Sequence, residues 1–129
     1  MQDKDAQALL YEYEILEKKF EELTMLRENL KAVFKEYRAV KHSLKELINK
    51  KSNEVLLPLG GGYYVKTTVS SDENIFVSIG GGIVVEKKFE DALKKVEEEE
   101  LKVKEEIKKI DEERKKIKKQ LKSLAGLFS

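Results

Sequence analysis

The chain has 129 residues, 40% charged and 8% aromatic, a balance that cannot supply a compact core in proportion to its length but suits solvated helices joined along a thin apolar seam. Lys and Arg number 26 against 25 Asp and Glu, with the signs interleaved, so no uniform field exists to draw nucleic acid or anionic lipid. The lack of cysteine excludes disulfides, thiolate metal sites and cysteine nucleophiles, and it fits a reducing compartment.

The start, Met1-Gln2-Asp3-Lys4-Asp5, lacks the basic-then-apolar order of a signal peptide, and no apolar run approaches the roughly 20 residues of a membrane span. A cytoplasmic protein is expected. Residues 1–53 then read as one helix. Neither Gly nor Pro occurs between Asp3 and Asn53, and apolar residues recur at Leu9, Tyr13, Leu16, Phe20, Leu23, Leu26, Leu30, Val33, Tyr37, Val40, Leu44 and Leu47. The steps alternate four and three except from Phe20 to Leu26, where two threes follow each other as in a stammer that locally overwinds a coiled coil.

Residues 54–86 change texture. Val55 to Leu59, Tyr63 to Val69, Ile75 to Ile79 and Ile83 to Val85 are rich in β-branched and aromatic residues and read as four short strands. Gly60-Gly61-Gly62, the polar run Ser70 to Asn74, and Gly80-Gly81-Gly82 separate them, and each separator is read as a hairpin turn. Pro58 is expected at an edge or a strand start. Leu59 to Val65 repeats as Ile79 to Val85 with a period of 20 residues, so the simplest unit is one β-hairpin present in two copies.

Residues 87–129 return to helix. Phe89, Leu93, Val96, Glu100, Val103, Ile107, Ile110, Arg114, Ile117, Leu121, Leu124 and Phe128 step by four and three throughout, with Glu100 and Arg114 as polar members that either pair across the seam or face solvent. Acid-first pairs four apart, such as Glu98/Lys102, Glu100/Lys104, Glu105/Lys109, Asp111/Lys115 and Glu112/Lys116, mark a solvated face, so the run Glu97 to Glu100 reads as surface and not as a metal site. Gly126 suits a helix C-cap, leaving Leu127 and Phe128 as an apolar tag.

At about 1.5 Å per residue the helices would span roughly 70 Å and 55–60 Å, too long for a compact domain, so they must pair or project. An insert with adjacent ends would let them run antiparallel, with both termini at one distal tip. The short strands bury too little to stand alone and leave open edges, which predicts oligomerisation through edge pairing or closure into a shared barrel. The expected class is α+β: a long antiparallel coiled-coil hairpin with two central β-hairpins that oligomerise into a β-barrel body.

The order of helix, paired hairpins and helix, and above all Val55-Leu56-Leu57-Pro58-Leu59-Gly60-Gly61-Gly62-Tyr63-Tyr64-Val65-Lys66 followed by Asn74-Ile75-Phe76-Val77-Ser78-Ile79-Gly80-Gly81-Gly82-Ile83-Val84-Val85-Glu86-Lys87, resembles the alpha class of prefoldin, of archaeal type. The chain departs from that pattern in its triple glycines, in lacking a Ser, Thr or Asp before Phe89, and in ending early at Ser129. The resemblance implies a chaperone hexamer of two alpha with four beta-type subunits, working without ATP, that holds non-native proteins between coiled-coil tips and passes them to a group II chaperonin. A scaffold or filament-forming subunit is the alternative it leaves open. The client-binding tips are expected at Leu9, Leu10, Tyr11 and Tyr13 on one helix and Ile117, Leu121, Leu124, Leu127 and Phe128 on the other. Bare periodicity would instead assign these to closing the coiled coil. The oligomerisation hairpins are expected to act through Leu57, Leu59, Tyr63, Val65, Ile75, Val77, Ile79, Ile83 and Val85.

Catalysis is not expected. The glycine runs lack the Gly-x-x-x-x-Gly-Lys-Ser/Thr pattern and precede strands, not helices. His42, the only histidine, lies off the apolar stripe with no triad or ligand cluster near it in sequence. No metal, cofactor, membrane or nucleic-acid partner is expected.

Overall fold

The computed structural model describes residues 3–128; Met1 and Gln2, where the chain was read as starting without a leader, and Ser129, read as an early end, lie outside the described residues. The order is α1 (Asp3–Asn49), β1 (Ser52–Gly60), β2 (Tyr63–Ser70), β3 (Asn74–Gly80), β4 (Ile83–Lys88) and α2 (Phe89–Phe128). These elements form two compact units, Met1–Lys35 with Leu101–Ser129, and Glu36–Glu100.

In the second unit α1 ends at Asn49, short of the expected Asn53, because Asn53 serves the helix from outside it. Standing in β1, its side-chain amide donates to the carbonyl oxygens of Leu47 (3.0 Å) and Lys50 (2.7 Å). The last carbonyls of a helix have no intrahelical donor, so this amide caps them. At the other junction β4 runs straight into α2, and Glu90 and Asp91 in the first turn complement the positive end of the helix dipole where no Ser, Thr or Asp cap exists.

The strands form two separate antiparallel pairs, β1 with β2 and β3 with β4. The polar run Ser70 to Asn74 therefore links two hairpins and does not make a third, as the sequence had suggested. Its amides are spent locally: Ser71 donates to the Lys51 carbonyl at 3.0 Å, Glu73 to the Ser70 carbonyl at 3.2 Å, and Asp72 to Ser70 Oγ at 3.3 Å. The two hairpins are copies in detail. Pro58 faces Tyr64 and Gly60 faces Tyr63, so Leu59 bulges; Ser78 faces Val84 and Gly80 faces Ile83, so Ile79 bulges in the same place. Gly61 (φ 59°) and Gly62 (φ 85°) carry the two-residue turn with positive φ at both positions, and Gly60 at the bulge has φ 106°, a backbone region that favours glycine at all three.

Leu44, Phe89 and Ala92 form the buried core of this unit, with Leu47, Ile48, Val69, Ile75, Leu93 and Val96 packed against it. Beside it Lys41 Nζ meets Glu100 Oε1 at 2.7 Å. Glu100 is thus neither a solvated acid nor the partner of Lys104; it is mostly buried and paired across the seam.

In the first unit α1 and α2 run antiparallel, with Lys19 paired to Glu113 (3.3 Å) and the Tyr13 and Phe128 rings edge to face at 6.2 Å. Val103, Ile110 and Ile117 are its buried residues. Arg114 spans the seam: its guanidinium carbon sits 4.9 Å from the Phe20 ring centre, Nε donates to Thr24 Oγ1 at 3.1 Å, and a terminal nitrogen reaches Asp111 Oδ1 at 3.3 Å. The same carboxylate oxygen accepts from Arg27 Nε at 2.6 Å. Arg27 and Lys41 correct the reading of α1. With them admitted, Leu9, Tyr13, Leu16, Phe20, Leu23, Arg27, Leu30, Phe34, Tyr37, Lys41, Leu44 and Ile48, all half-buried or buried, step by three and four without a stammer, and Ala6, Thr24, Val33 and Leu47 are half-buried beside them. Leu26 and Val40, expected in the seam, are exposed. A reading that admitted only apolar residues skipped two cations whose aliphatic stems lie along the seam while their heads find acids.

Candidate functional site

Among the described residues no group of three or more His, Asp or Glu side chains could hold a metal ion, and no helix is long and apolar enough to cross a membrane. His42 is an exposed helix residue with its Nε2 3.1 Å from Glu46. What the fold does present is apolar surface in two places, on the hairpins and at the free end of the paired helices.

On the hairpins, alternation along each strand divides the expected residues. Ile75, Val77 and Val85 are half-buried, and Ile75 packs on the Leu44–Phe89–Ala92 core. Leu57, Leu59, Tyr63, Val65, Ile79 and Ile83 are exposed, Tyr63 at 74%. The opposite face adds four exposed residues absent from the expected set, Leu56, Tyr64, Phe76 and Val84. Period-two alternation was the signal for them: they sit one residue out of phase with the expected set. Both faces of each pair are therefore apolar, and every strand has a free edge. Water-exposed apolar area of this extent is more than a two-stranded sheet can bury by itself.

At the free end of the first unit the expected residues also divide. Ile117 is buried at 4% exposure, and Leu9, Tyr13, Leu121 and Leu124 are half-buried along the seam, so these close the helix pair. Leu10, Tyr11 (67% exposed) and Leu127 stand outside it, joined by Ile15, which lies one turn from Tyr11 and was not anticipated, while Phe128 is partly exposed and partly packed on Tyr13. Gly126 is not a C-cap. It lies inside α2, which continues to Phe128, and the edge-to-face contact of Phe128 with Tyr13 holds that final turn.

Comparison with known proteins agrees with this layout. The family model described as prefoldin subunit matches residues 13–129. The prefoldin subunit alpha of Nitrosopumilus maritimus is 36% identical over 98 residues, covering 76% of this chain and 68% of that protein. Prefoldin subunit alpha 1 of Thermococcus kodakarensis is 32% identical over 96 residues, covering 74% of this chain and 66% of that protein. The chain thus spans about two thirds of the length of these relatives. A cryo-EM structure of filamentous PFD from Methanocaldococcus jannaschii superposes with a TM-score of 0.69 at 23% identity, covering 93% of this chain and 98% of that one, which is likeness of fold. With two helices enclosing two hairpins and a family match over nearly its whole length, the chain belongs to the prefoldin family of chaperone subunits, in its alpha class.

Proposed function

We propose that the chain is the alpha-type subunit of an ATP-independent cytoplasmic chaperone. In this reading its hairpins assemble with beta-type subunits, two alpha with four beta, and the free helix ends hold non-native proteins for transfer to a group II chaperonin. The observation that carries the reading is the placement of surplus apolar surface. Leu10, Tyr11, Leu127 and Phe128 exceed what the helix pair buries, and they sit at its open end. Weak apolar contacts at several such ends gain avidity when one unfolded chain bridges them, without nucleotide chemistry. The single-unit organisation of residues 1–129, with residues 54–86 as the assembly platform, belongs to the same proposal.

The test replaces Leu10, Tyr11 and Leu127 with Ser in the full chain, assembles it with a beta-type subunit, and follows aggregation of a denatured client by light scattering. Assembly mass by native mass spectrometry should be unchanged while protection is lost; undiminished protection would sink the proposed grip. The open strand edges and the filamentous relative in fold favour a second reading, a filament-forming subunit whose helices act as spacers. Mass that grows without limit as concentration rises, with no protection of the client, supports that reading over the first.

A further inference from the structure

Arg114, Lys115, Lys116, Lys118, Lys119 and Lys122 make a cationic run on α2 with no acid among them. Local structure does not account for them. Helix C-termini favour cations only within the last turn, and the last turn of α2 holds none. The acid four residues before Lys115 is Asp111, which is occupied by Arg27 and Arg114. Lys115, Lys118, Lys119 and Lys122 are exposed, and none is paired with a described carboxylate. Arg114, Lys115 and Lys118 also line, with Phe20 and Asp111, a recess of about 270 Å³. In the recess Arg114 is stacked on the Phe20 ring and paired with Asp111, which leaves Lys115 and Lys118 as its unengaged cations.

We infer that this end of α2 selects among non-native segments by charge, favouring those in which acidic side chains flank an apolar stretch. The inference rests on the proposed grip and names its preferred substrate. Carboxylates meet Lys115 and Lys118 beside the Phe20 ring while the apolar stretch lies on Leu127 and Phe128. From Lys115 to Leu127 the helix rises by about 18 Å. The two positions also lie about 120° apart around the helix, so an extended peptide crosses from one to the other in roughly six to eight residues, which sets the spacing between acid and apolar stretch.

The test uses the full chain and three labelled, unstructured peptides sharing one Leu/Phe core, flanked at that spacing by Glu, by Lys or by neutral Gly-Ser. Fluorescence anisotropy at about 50 mM and about 500 mM salt reads their affinities. The Glu-flanked peptide should bind about tenfold tighter than the Lys-flanked one at low salt, and the preference should shrink to about twofold or less at high salt. The variant K115Q/K118Q/K119Q/K122Q should lose the preference and keep its affinity for the neutral peptide. Binding of all three peptides with equal affinity, or a preference that survives in the variant, overturns the inference and leaves the grip standing. Failure of all three to bind overturns both.

Discussion

Replacing Lys41 with Met tests whether the polar members of the seam are structural. Lys41 and Glu100 are partners at 2.7 Å, with side-chain exposures of 25% and 17%, and the second Glu100 oxygen is buried without a hydrogen-bond partner. Removing the cation leaves a mostly buried carboxylate with neither oxygen served. Breaking a fully buried pair costs about 3–5 kcal/mol, and the residual exposure of both groups reduces that to about 2 kcal/mol. Removing the acid instead, as Glu100→Leu, should cost under about 1 kcal/mol. The orphaned oxygen disappears, a Leu enters an apolar seam, and the Lys41 head can swing toward water on its flexible stem. The double variant should recover most of the loss, because two apolar residues replace a pair that had to be desolvated. Urea unfolding of the full chain followed by helical circular dichroism, at one fixed protomer concentration, measures all four corners of the cycle. K41M no more damaging than E100L, or a coupling under about 0.5 kcal/mol, would refute the reasoning.

Two further outcomes are expected. At Gly81 (φ 61°) a Cβ would meet nothing within 4 Å, so Gly81→Ala should cost only the backbone penalty of about 1–2 kcal/mol, and Gly81→Asn distinctly less because Asn tolerates the left-handed region; equal melting temperatures for the two would contradict the turn assignment. Ile117→Ala, at a buried seam position, should lose about 2–5 kcal/mol, whereas Leu127→Ala, on the exposed end, should stay within about 0.5 kcal/mol while weakening protection of a denatured client.

Local patterns were legible in the sequence to the extent that they were redundant. The 20-residue repeat and its glycines announced two hairpins, and the structure gives both the same bulge at Leu59 and Ile79. The seam of α2 could be read directly because it tolerates only two polar members. The seam of α1 was misread at Leu26 and Val40 because they look like better core residues than Arg27 and Lys41. What decides the matter is the identity of the opposing residues, Asp111 and Glu100, which no single-helix pattern contains. Asn53 was misplaced for a similar reason: helix propensity and periodicity carry no sign that a side chain is reaching back to cap Leu47 and Lys50. At the free end the sequence could not divide the expected residues into buried and exposed ones, since Ile117 and Leu127 differ in which face of the helix meets α1 and not in type.

The polar seam residues also bear on why apolar surface can be left exposed at the helix ends. An antiparallel pair held only by evenly spaced Leu, Ile and Val has near-equivalent alternatives one heptad apart, and an exposed apolar end would reward sliding into whichever one buries it. Lys41 with Glu100, and Arg27 with Asp111 and Arg114, remove those alternatives. A slide of seven residues would bring an apolar seam residue opposite Lys41 and another opposite Glu100, leaving two charges desolvated and unpaired. The alternatives are thereby raised by several kcal/mol, more than burying one or two additional Leu side chains returns at about 1.5–3 kcal/mol each when burial is complete and less at a frayed end. On this argument the charges hold the register at the cost of some seam stability, and Leu10, Tyr11 and Leu127 remain exposed, as the proposed grip requires.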